Sequence, residues 1–279
     1  MIELSIHRAA IADAPRARGR VASSLTLLMA SAVGVSAFLY PFLLSAAPSE
    51  GESQAHAGDA PLIFAALAAL AALLFIVELS SGGINAKVAS ALGVLAVSAA
   101  ILRLPPLPAG ASAFFFLIIL GGYVFGPRFG FLLGALALAI SAFAAGGFGP
   151  WVPFQMFGAG WLGMTSGWLG ALRRPLARRP RIELLALIGF GALAGFVYGA
   201  LMNLWFWPYI ATGEDVSWRP GLGLAETLRH YWAFYVLTSF AWDSWTAIGN
   251  AALIAISGRS VLALLVRFRD RFQISFTGT

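Results

Sequence analysis

The chain is a series of long apolar runs separated by short polar or glycine- and proline-rich links. Eight such runs occupy residues 21–44, 61–79, 86–102, 112–125, 129–145, 154–172, 182–206 and 231–257. At about 1.5 Å per helical residue the first run spans roughly 36 Å, enough to cross a hydrocarbon core of about 30 Å. Strict apolar–polar alternation is absent and the runs exceed the length of a barrel strand. The pattern therefore predicts eight transmembrane helices and no strands.

Composition supports a membrane location. Of the 279 residues, 59% are hydrophobic and 11% are charged, whereas a soluble domain carries about 25% charged residues. So few charges do not make a water-soluble surface, and we expect an all-α integral membrane protein. The absence of cysteine excludes disulfides, thiolate nucleophiles and cysteine-ligated zinc or iron–sulfur centres.

The first apolar run has two interpretations. It could be a signal peptide that is cleaved near residues 45–47, or a transmembrane helix that is retained. The apolar segment of a signal peptide is usually about 7–15 residues long. The greater length of this run favours a retained helix.

The distribution of basic residues predicts the topology. If eight crossings alternate, all 18 Lys and Arg residues except Arg103, Arg219 and Arg229 fall on the side of the two termini. Because cytoplasmic loops carry the excess of Lys and Arg, we expect both termini, including the basic tails 1–20 and 266–279, in the cytoplasm of a bacterial-type cell. The net charge of +6 then reflects orientation in the plasma membrane and attraction to anionic lipid, and no nucleic acid partner is expected.

Motifs for nucleotide hydrolysis and for metal-dependent catalysis are absent from the sequence. The only lysine, Lys87, is not part of a GxxxxGK[ST] loop, and no HExxH occurs. The three histidines, His7, His56 and His230, all lie outside the middle of an apolar run. We therefore predict no catalytic residue, no metal site and no cofactor.

One carboxylate falls within an apolar run. Asp243 follows Tyr231 by about 18 Å of helix, which places it near the middle of the last run. An ionised group there costs about 2.5–3.5 kcal/mol, so it should face protein or water. Helical spacing puts five polar side chains on one side of this run: Tyr235, Ser239, Asp243, Thr246 and Asn250. The stripe is either a ligand or ion site or an interhelical hydrogen-bond cluster. The first alternative leaves open an enzyme that acts on lipid or peptide through Asp243.

Two further patterns each have a structural and a functional interpretation. Aromatic residues are dense between residues 196 and 245, as in an interfacial aromatic belt, and a belt alone would suit a ligand-free structural or assembly membrane protein. However, the 205–209 segment with Asn203, opposite Trp151 and Gln155, has the rings and amides that hold a flat, partly polar molecule. The small residues of the third run allow close helix packing, either within the bundle or against a partner. They are Ala89, Gly93, Ala96 and Ala100.

Three segments carry a resemblance to a known family. Residues 121–170, 196–208 and 242–254 resemble the substrate-binding S component of energy-coupling-factor (ECF) vitamin transporters, most specifically at GPWVPFQM, residues 149–156. The likeness spans about residues 82–265 and is greatest to members associated with cobalamin or similarly large cofactors. It implies a six-helix core over residues 81–265. The chain departs from the family by a two-helix extension in front, over residues 21–80, whose role is open between stabilising the protein, docking a partner and filling space.

The resemblance also implies a mechanism and a set of contacts. An S component binds a vitamin or cofactor precursor near the outer face and topples in the bilayer to release it, without covalent chemistry. Loops corresponding to 103–111, 146–153 and 208–230 would cover the ligand. The small face on the third run would dock a membrane scaffold (T) protein that is driven by two cytoplasmic ATPases. The expected substrate-binding residues are Trp151, Phe154, Gln155, Asn203, Trp207, Tyr235 and Asp243.

Overall fold

The structure, a computed structural model, describes residues 2–44, 55–80, 84–104, 112–210, 213 and 215–273, with side chains from residue 19 to residue 271 except residue 20. Most of the predicted covering loop 103–111, the polar segment 45–54 and the final residues of the predicted tail lie outside the described residues. The described part is helical and contains no strand.

The helices follow the apolar runs in order. They are α1 Ile2–Leu43, α2 Ala60–Ser80, α3 Ala86–Arg103, α4 Phe114–Phe125, α5 Pro127–Ala144, α6 Val152–Ala171, α7 Arg173–Ala177, α8 Pro180–Phe206, α9 Leu224–Thr238 and α10 Phe240–Gln273. A single 3₁₀ turn, Trp207–Tyr209, extends α8.

The predicted count of eight spans is not confirmed. Within the described ranges, six helices are long and apolar enough to cross a membrane by length and composition: Val21–Leu43, Ala60–Ser80, Ala86–Arg103, Pro127–Ala144, Pro180–Tyr209 and Phe240–Arg271. The two other predicted spans correspond to α4 and α6. In α4, 10 of the 12 residues are buried, and α6 is buried along most of its length. Helices enclosed by other helices need little lipid-facing surface.

The last predicted run is not one helix. Residues 231–257 are divided by a break at Ser239, where α9 ends and α10 begins. Asp243 therefore lies in the first turn of α10 and not near the middle of a helix, as the run length predicted. At its other end α10 continues to Gln273, so the basic residues Arg259, Arg267, Arg269 and Arg271 lie on the helix.

The centre of the bundle is a close contact of α4, α5 and α6. A Cβ atom on Gly163 of α6 would collide with the backbone of Gly130 on α5, and one on Gly122 of α4 would collide with the backbone of Gly163. Glycine at these positions lets the three backbones touch, as small residues do in membrane helix packing.

The other helices pack around this centre. Helix α3 lies against α5 and α4, while α8 and α10 form a pair against α4 and α6. Helices α1 and α2 pack on each other and against α6. Phe38 of α1 contacts Phe154 and Trp161 of α6, with ring centroids 5.1 and 5.7 Å apart, and Trp161 Nε1 donates to Ser31 Oγ at 3.2 Å.

Candidate functional site

Three of the predicted site residues lie where α5 ends and α6 begins, hereafter the Trp151 end of the bundle. Trp151 and Gln155 are four residues apart and share one face of the first turns of α6. Phe154 is fully buried. Trp205 from the end of α8 meets both rings, at 6.4 Å from Trp151 edge to face and at 6.1 Å from Phe154.

Arg103 joins this end of the bundle, although the sequence indicated it only as an outside charge. Its Nη1 donates to Ser141 Oγ at 2.9 Å and its Nη2 donates to Gln155 Oε1 at 3.2 Å. The guanidinium lies 5.7 Å from the centre of the Phe114 ring. Ser141 is anchored in turn, because its hydroxyl donates to Leu138 O at 2.8 Å. The half-buried arginine thus connects the ends of α3, α4, α5 and α6.

His56, in the α1–α2 link, is inserted into the aromatic group. Its ring is fully buried and lies 4.4 Å from Phe154 and 4.7 Å from Tyr209. Nε2 is 3.0 Å from Trp205 O, and Nδ1 is 2.8 Å from Asp59 Oδ2. Its φ of 57° is in the left-handed region, which is uncommon outside glycine. Sequence reasoning treated His56 as a loop residue, because nothing in the sequence connects it with Trp205.

Asp59 holds this insertion in place. Its Oδ2 also accepts a hydrogen bond from Tyr40 Oη at 2.6 Å. Burial alone would raise the pKa of Asp59, but the hydrogen bonds from His56 and Tyr40 and the charge of His56 outweigh it and leave the pKa lowered. The Asp59 carboxylate is therefore stabilised in its ionised form.

Trp207 is buried in a second aromatic group, formed with Phe42, Tyr231 and Phe234. Its Nε1 donates to Val216 O at 2.8 Å, which fastens part of the predicted covering loop 208–230. Its ring contacts Phe42 at 5.8 Å and Tyr231 at 5.1 Å. The extension and α9 therefore enclose Trp207 on two sides.

Asn203, Tyr235 and Asp243 form a separate group at the junction of α8, α9 and α10. Ser239 Oγ donates to Asn203 Oδ1 at 2.8 Å, and the Asp243 carboxyl lies directly over Gly199, where a larger residue would clash. Asn203 Nδ2 is buried and has no hydrogen-bond partner within the described chain, and the buried Tyr235 hydroxyl lies beside the Asp243 carboxyl.

The two other residues of the predicted polar stripe, Asn250 and Thr246, make different contacts. Asn250 is buried and its Nδ2 donates to Gly191 O of α8 at 3.3 Å, whereas Thr246 Oγ1 donates to Trp242 O in its own helix. Asn203, Ser239, Asp243 and Asn250 therefore line the contact between α8 and the two last helices.

Helix α8 divides six of the seven predicted residues into two groups, and Trp207 belongs to neither. Asn203 and Trp205 are two positions apart and point to opposite sides of the helix. One side meets Phe154 and His56, and the other meets Ser239. The structure thus brings Trp151, Phe154 and Gln155 together with Arg103 and His56 on one side of α8. Asn203, Tyr235 and Asp243 lie on the opposite side of that helix.

The predicted small-residue face of α3 is divided between the interior and the surface. Ala96 and Ala100 are buried in the bundle and Ala89 is partly buried, whereas Gly93 is exposed with open space beside it. A partner approaching α3 would meet Gly93 together with the exposed side chains of Val94 and Val97.

A cavity of about 690 Å³ lies at the opposite end of the bundle, between the extension and the core. It contains Arg128, which makes an ion pair with Glu78 at 2.9 Å and donates to Ser24 Oγ at 2.8 Å. None of the seven predicted substrate-binding residues lines it. No cluster of three or more His, Asp or Glu side chains suited to a metal ion occurs among the described residues.

Comparison with known proteins identifies the family. The family model of the ECF transporter substrate-specific component matches residues 62–258. That range contains most of α2, all of α3 to α9, the first half of α10 and all seven predicted substrate-binding residues, whereas α1, His56 and Asp59 precede it. Comparisons with curated proteins and with solved structures gave no match. Since the matched residues form well over half of a multi-pass helical membrane protein, the chain belongs to the substrate-specific components of ECF transporters.

Proposed function

We propose that this protein captures a vitamin or cofactor precursor at the outer face of the plasma membrane and delivers it together with a T scaffold protein and two cytoplasmic ATPases. The single observation that carries the proposal is the family match over residues 62–258. ATP would be hydrolysed by the partner subunits, in keeping with the absence of a phosphate-binding loop from this sequence.

The arrangement at the Trp151 end supports a small-molecule site there. Pockets for organic ligands combine aromatic walls with a few fixed polar groups. Here the aromatic surface is the partly exposed Trp151 ring, which is backed by the buried Trp205 and Phe154 rings, and the polar groups are Arg103 and Gln155. By the Lys and Arg distribution this end faces outward, which suits capture from outside the cell.

A large corrinoid such as cobalamin or a precursor is the substrate that we put first, on the resemblance of residues 149–156 to members of that kind. Such a ligand presents a broad apolar ring edge together with many amides. The Trp151 ring and the Gln155 amide offer matching groups for both.

The experiment is ligand detection on the purified protein. Protein in detergent is incubated with a vitamin panel that includes cobalamin and its precursors, washed, and examined by native mass spectrometry. Uptake of the same compounds is measured in cells with and without the gene. We expect one compound to be retained and its uptake to fall on deletion. No retained compound together with unchanged uptake would contradict the proposal.

The partner prediction is tested by co-purification. Tagged protein extracted in mild detergent should bring down a T protein and two ATPases, and binding of ATP analogues should alter the complex. Exposed Gly93 marks the face of α3 that we expect to be involved. Recovery of the protein without any such subunit from cells in which uptake is active would contradict delivery by an ATPase module.

A further inference from the structure

Arg103 is a cation at the Trp151 end whose partners are all neutral. Its guanidinium donates to the Ser141 hydroxyl and to the Gln155 amide oxygen, and it lies over the Phe114 ring. No carboxylate of the described ranges lies within ion-pair distance of it, in contrast to Arg128, which is paired with Glu78.

An unpaired charge is energetically unfavourable in such an environment. A half-buried guanidinium loses part of its hydration, and a hydroxyl, an amide and a ring replace that hydration without neutralising the charge. Arg103 is also predicted on the outer side of the membrane, whereas basic residues generally lie on the cytoplasmic side. Long basic side chains at helix ends usually extend to the membrane interface, whereas that of Arg103 turns into the bundle.

The side chain is held ready for a further partner. A guanidinium carries five N–H donors in a rigid fork, and Ser141 and Gln155 take up one on each terminal nitrogen. The remaining donors match the two oxygens of a carboxylate or phosphate. Because Ser141 is itself anchored on Leu138 O, little side-chain freedom would be lost when an anion binds.

The neighbouring groups extend the same site. Gln155 uses its oxygen to accept from Arg103, which leaves its NH₂ group as a donor directed away from the arginine. Trp151, one turn earlier on the same face of α6, adds an indole ring. An oxyanion on Arg103 and Gln155 would therefore have an aromatic surface beside it for the rest of the molecule.

We propose that Arg103 binds a carboxylate or phosphate group of the transported substrate, so that the substrate class is an organic oxyanion. This rests on the proposed function and adds to it the chemistry that the site recognises. Arg103 and Gln155 bind the anion, and Ser141 positions the guanidinium.

The test uses matched pairs of compounds that differ in the anionic group. Suitable pairs are cobyric acid and cobinamide, pantothenate and pantothenol, and thiamine monophosphate and thiamine. Dissociation constants are measured with the purified wild-type protein and with R103Q, R103K and R178Q. Arg178 is the control, because it is an exposed arginine at the opposite end of the bundle.

For the pair that binds, we expect the wild type to prefer the anionic member by about 10- to 100-fold, the range for hydrogen bonds to a charged group. R103Q should bind the anionic member as weakly as the neutral one and leave the neutral member unchanged. R103K should retain part of the preference because it keeps the charge and loses the fork. R178Q should behave as the wild type.

A second variant covers the case in which R103Q does not fold. Gln155→Glu places a carboxylate beside Arg103 at a distance already compatible with a hydrogen bond. It should keep the protein folded and compete with the substrate anion, and so abolish the preference.

The outcomes separate the two proposals. Tight binding of a compound whose affinity is the same in the wild type, R103Q and Q155E would overturn the oxyanion site and leave the transport function standing. Failure of the wild type to bind either member of every pair, together with unchanged uptake on deletion, would contradict the transport function and the oxyanion site with it.

Discussion

Replacing His56 by alanine removes the side chain that joins the α1–α2 link to the family-matched core. The substitution deletes the contacts of Nε2 with Trp205 O and of Nδ1 with Asp59 Oδ2. It also empties the space that the imidazole occupies beside Phe154 and Tyr209. The left-handed φ of this residue remains strained with alanine, so the loss is not offset by relief of the backbone.

The magnitude follows from those contacts. A buried hydrogen bond contributes about 0.5–1.5 kcal/mol, and one to a charged group contributes about 1.5–3 kcal/mol. The ring contacts add about 0.5–1.5 kcal/mol. Because the Asp59 side chain is 30% exposed, its contribution is reduced by solvent. We expect the α1–α2 link to lose about 2–4 kcal/mol of docking free energy.

The assay is hydrogen–deuterium exchange of the segment around residues 55–60 in detergent or nanodiscs. A loss of that size raises local opening by about 30- to 1,000-fold. His56→Phe is the matched variant, since it keeps a ring against Phe154 and removes both hydrogen bonds, and it should fall between the wild type and H56A. Helices α4 to α6 should show no change in either variant.

Two results would refute this reasoning. Unchanged exchange around residues 55–60 in H56A would mean that His56 does not hold the link on the core. Equal and large increases throughout α4 to α6 would mean that the substitution unfolds the bundle and does not act on the link alone.

Three further predictions follow from other parts of the structure. Folding lowers the pKa of Asp59, so its contribution to the stability of the docked link is present above the unfolded pKa of about 3.9 and is lost as pH falls through the lower folded pKa. Hydrogen exchange around residue 59 should therefore rise at acidic pH in the wild type. D59N should lack this pH-dependent rise. Gly163→Ala would force apart the backbones of α5 and α6 at Gly130. We expect the free energy of unfolding to fall by at least about 2 kcal/mol, with a lower thermal midpoint. The same change at Gly189, which has open space beside it, should have little effect. Gly93 has open space beside it, so Gly93→Phe should leave the thermal midpoint and ligand binding intact while reducing recovery of the T protein more than tenfold. Equal recovery would exclude this face of α3 as the docking surface.

The positions of the helices could be predicted because apolar runs of membrane length leave few alternatives. The break at Ser239 could not, since residues 231–257 contain neither a proline nor a polar run at that point. The interruption accompanies a tertiary contact, the hydrogen bond from Ser239 to Asn203. Helical spacing alone carried the polar stripe across this break and placed Asp243 too deep.

The candidate site was accessible to sequence reasoning only in part. Trp151, Phe154 and Gln155 lie in one distinctive segment and were identified together. The roles of Arg103 and His56 depend on contacts with residues far along the chain, such as Gln155 and Trp205. Their charge and their position in polar links indicated an interfacial location, and nothing in the local pattern showed that each one turns into the bundle.

The central claim, that the Trp151 end of the bundle receives substrate from outside the cell, is tested most directly by cysteine labelling. The chain has no cysteine, so single substitutions give no background. Gly147→Cys lies beside the site in open space, and Arg178→Cys is exposed at the other end. With a membrane-impermeant maleimide we predict labelling of G147C in intact cells and labelling of R178C only after permeabilisation. The reverse pattern would contradict the account.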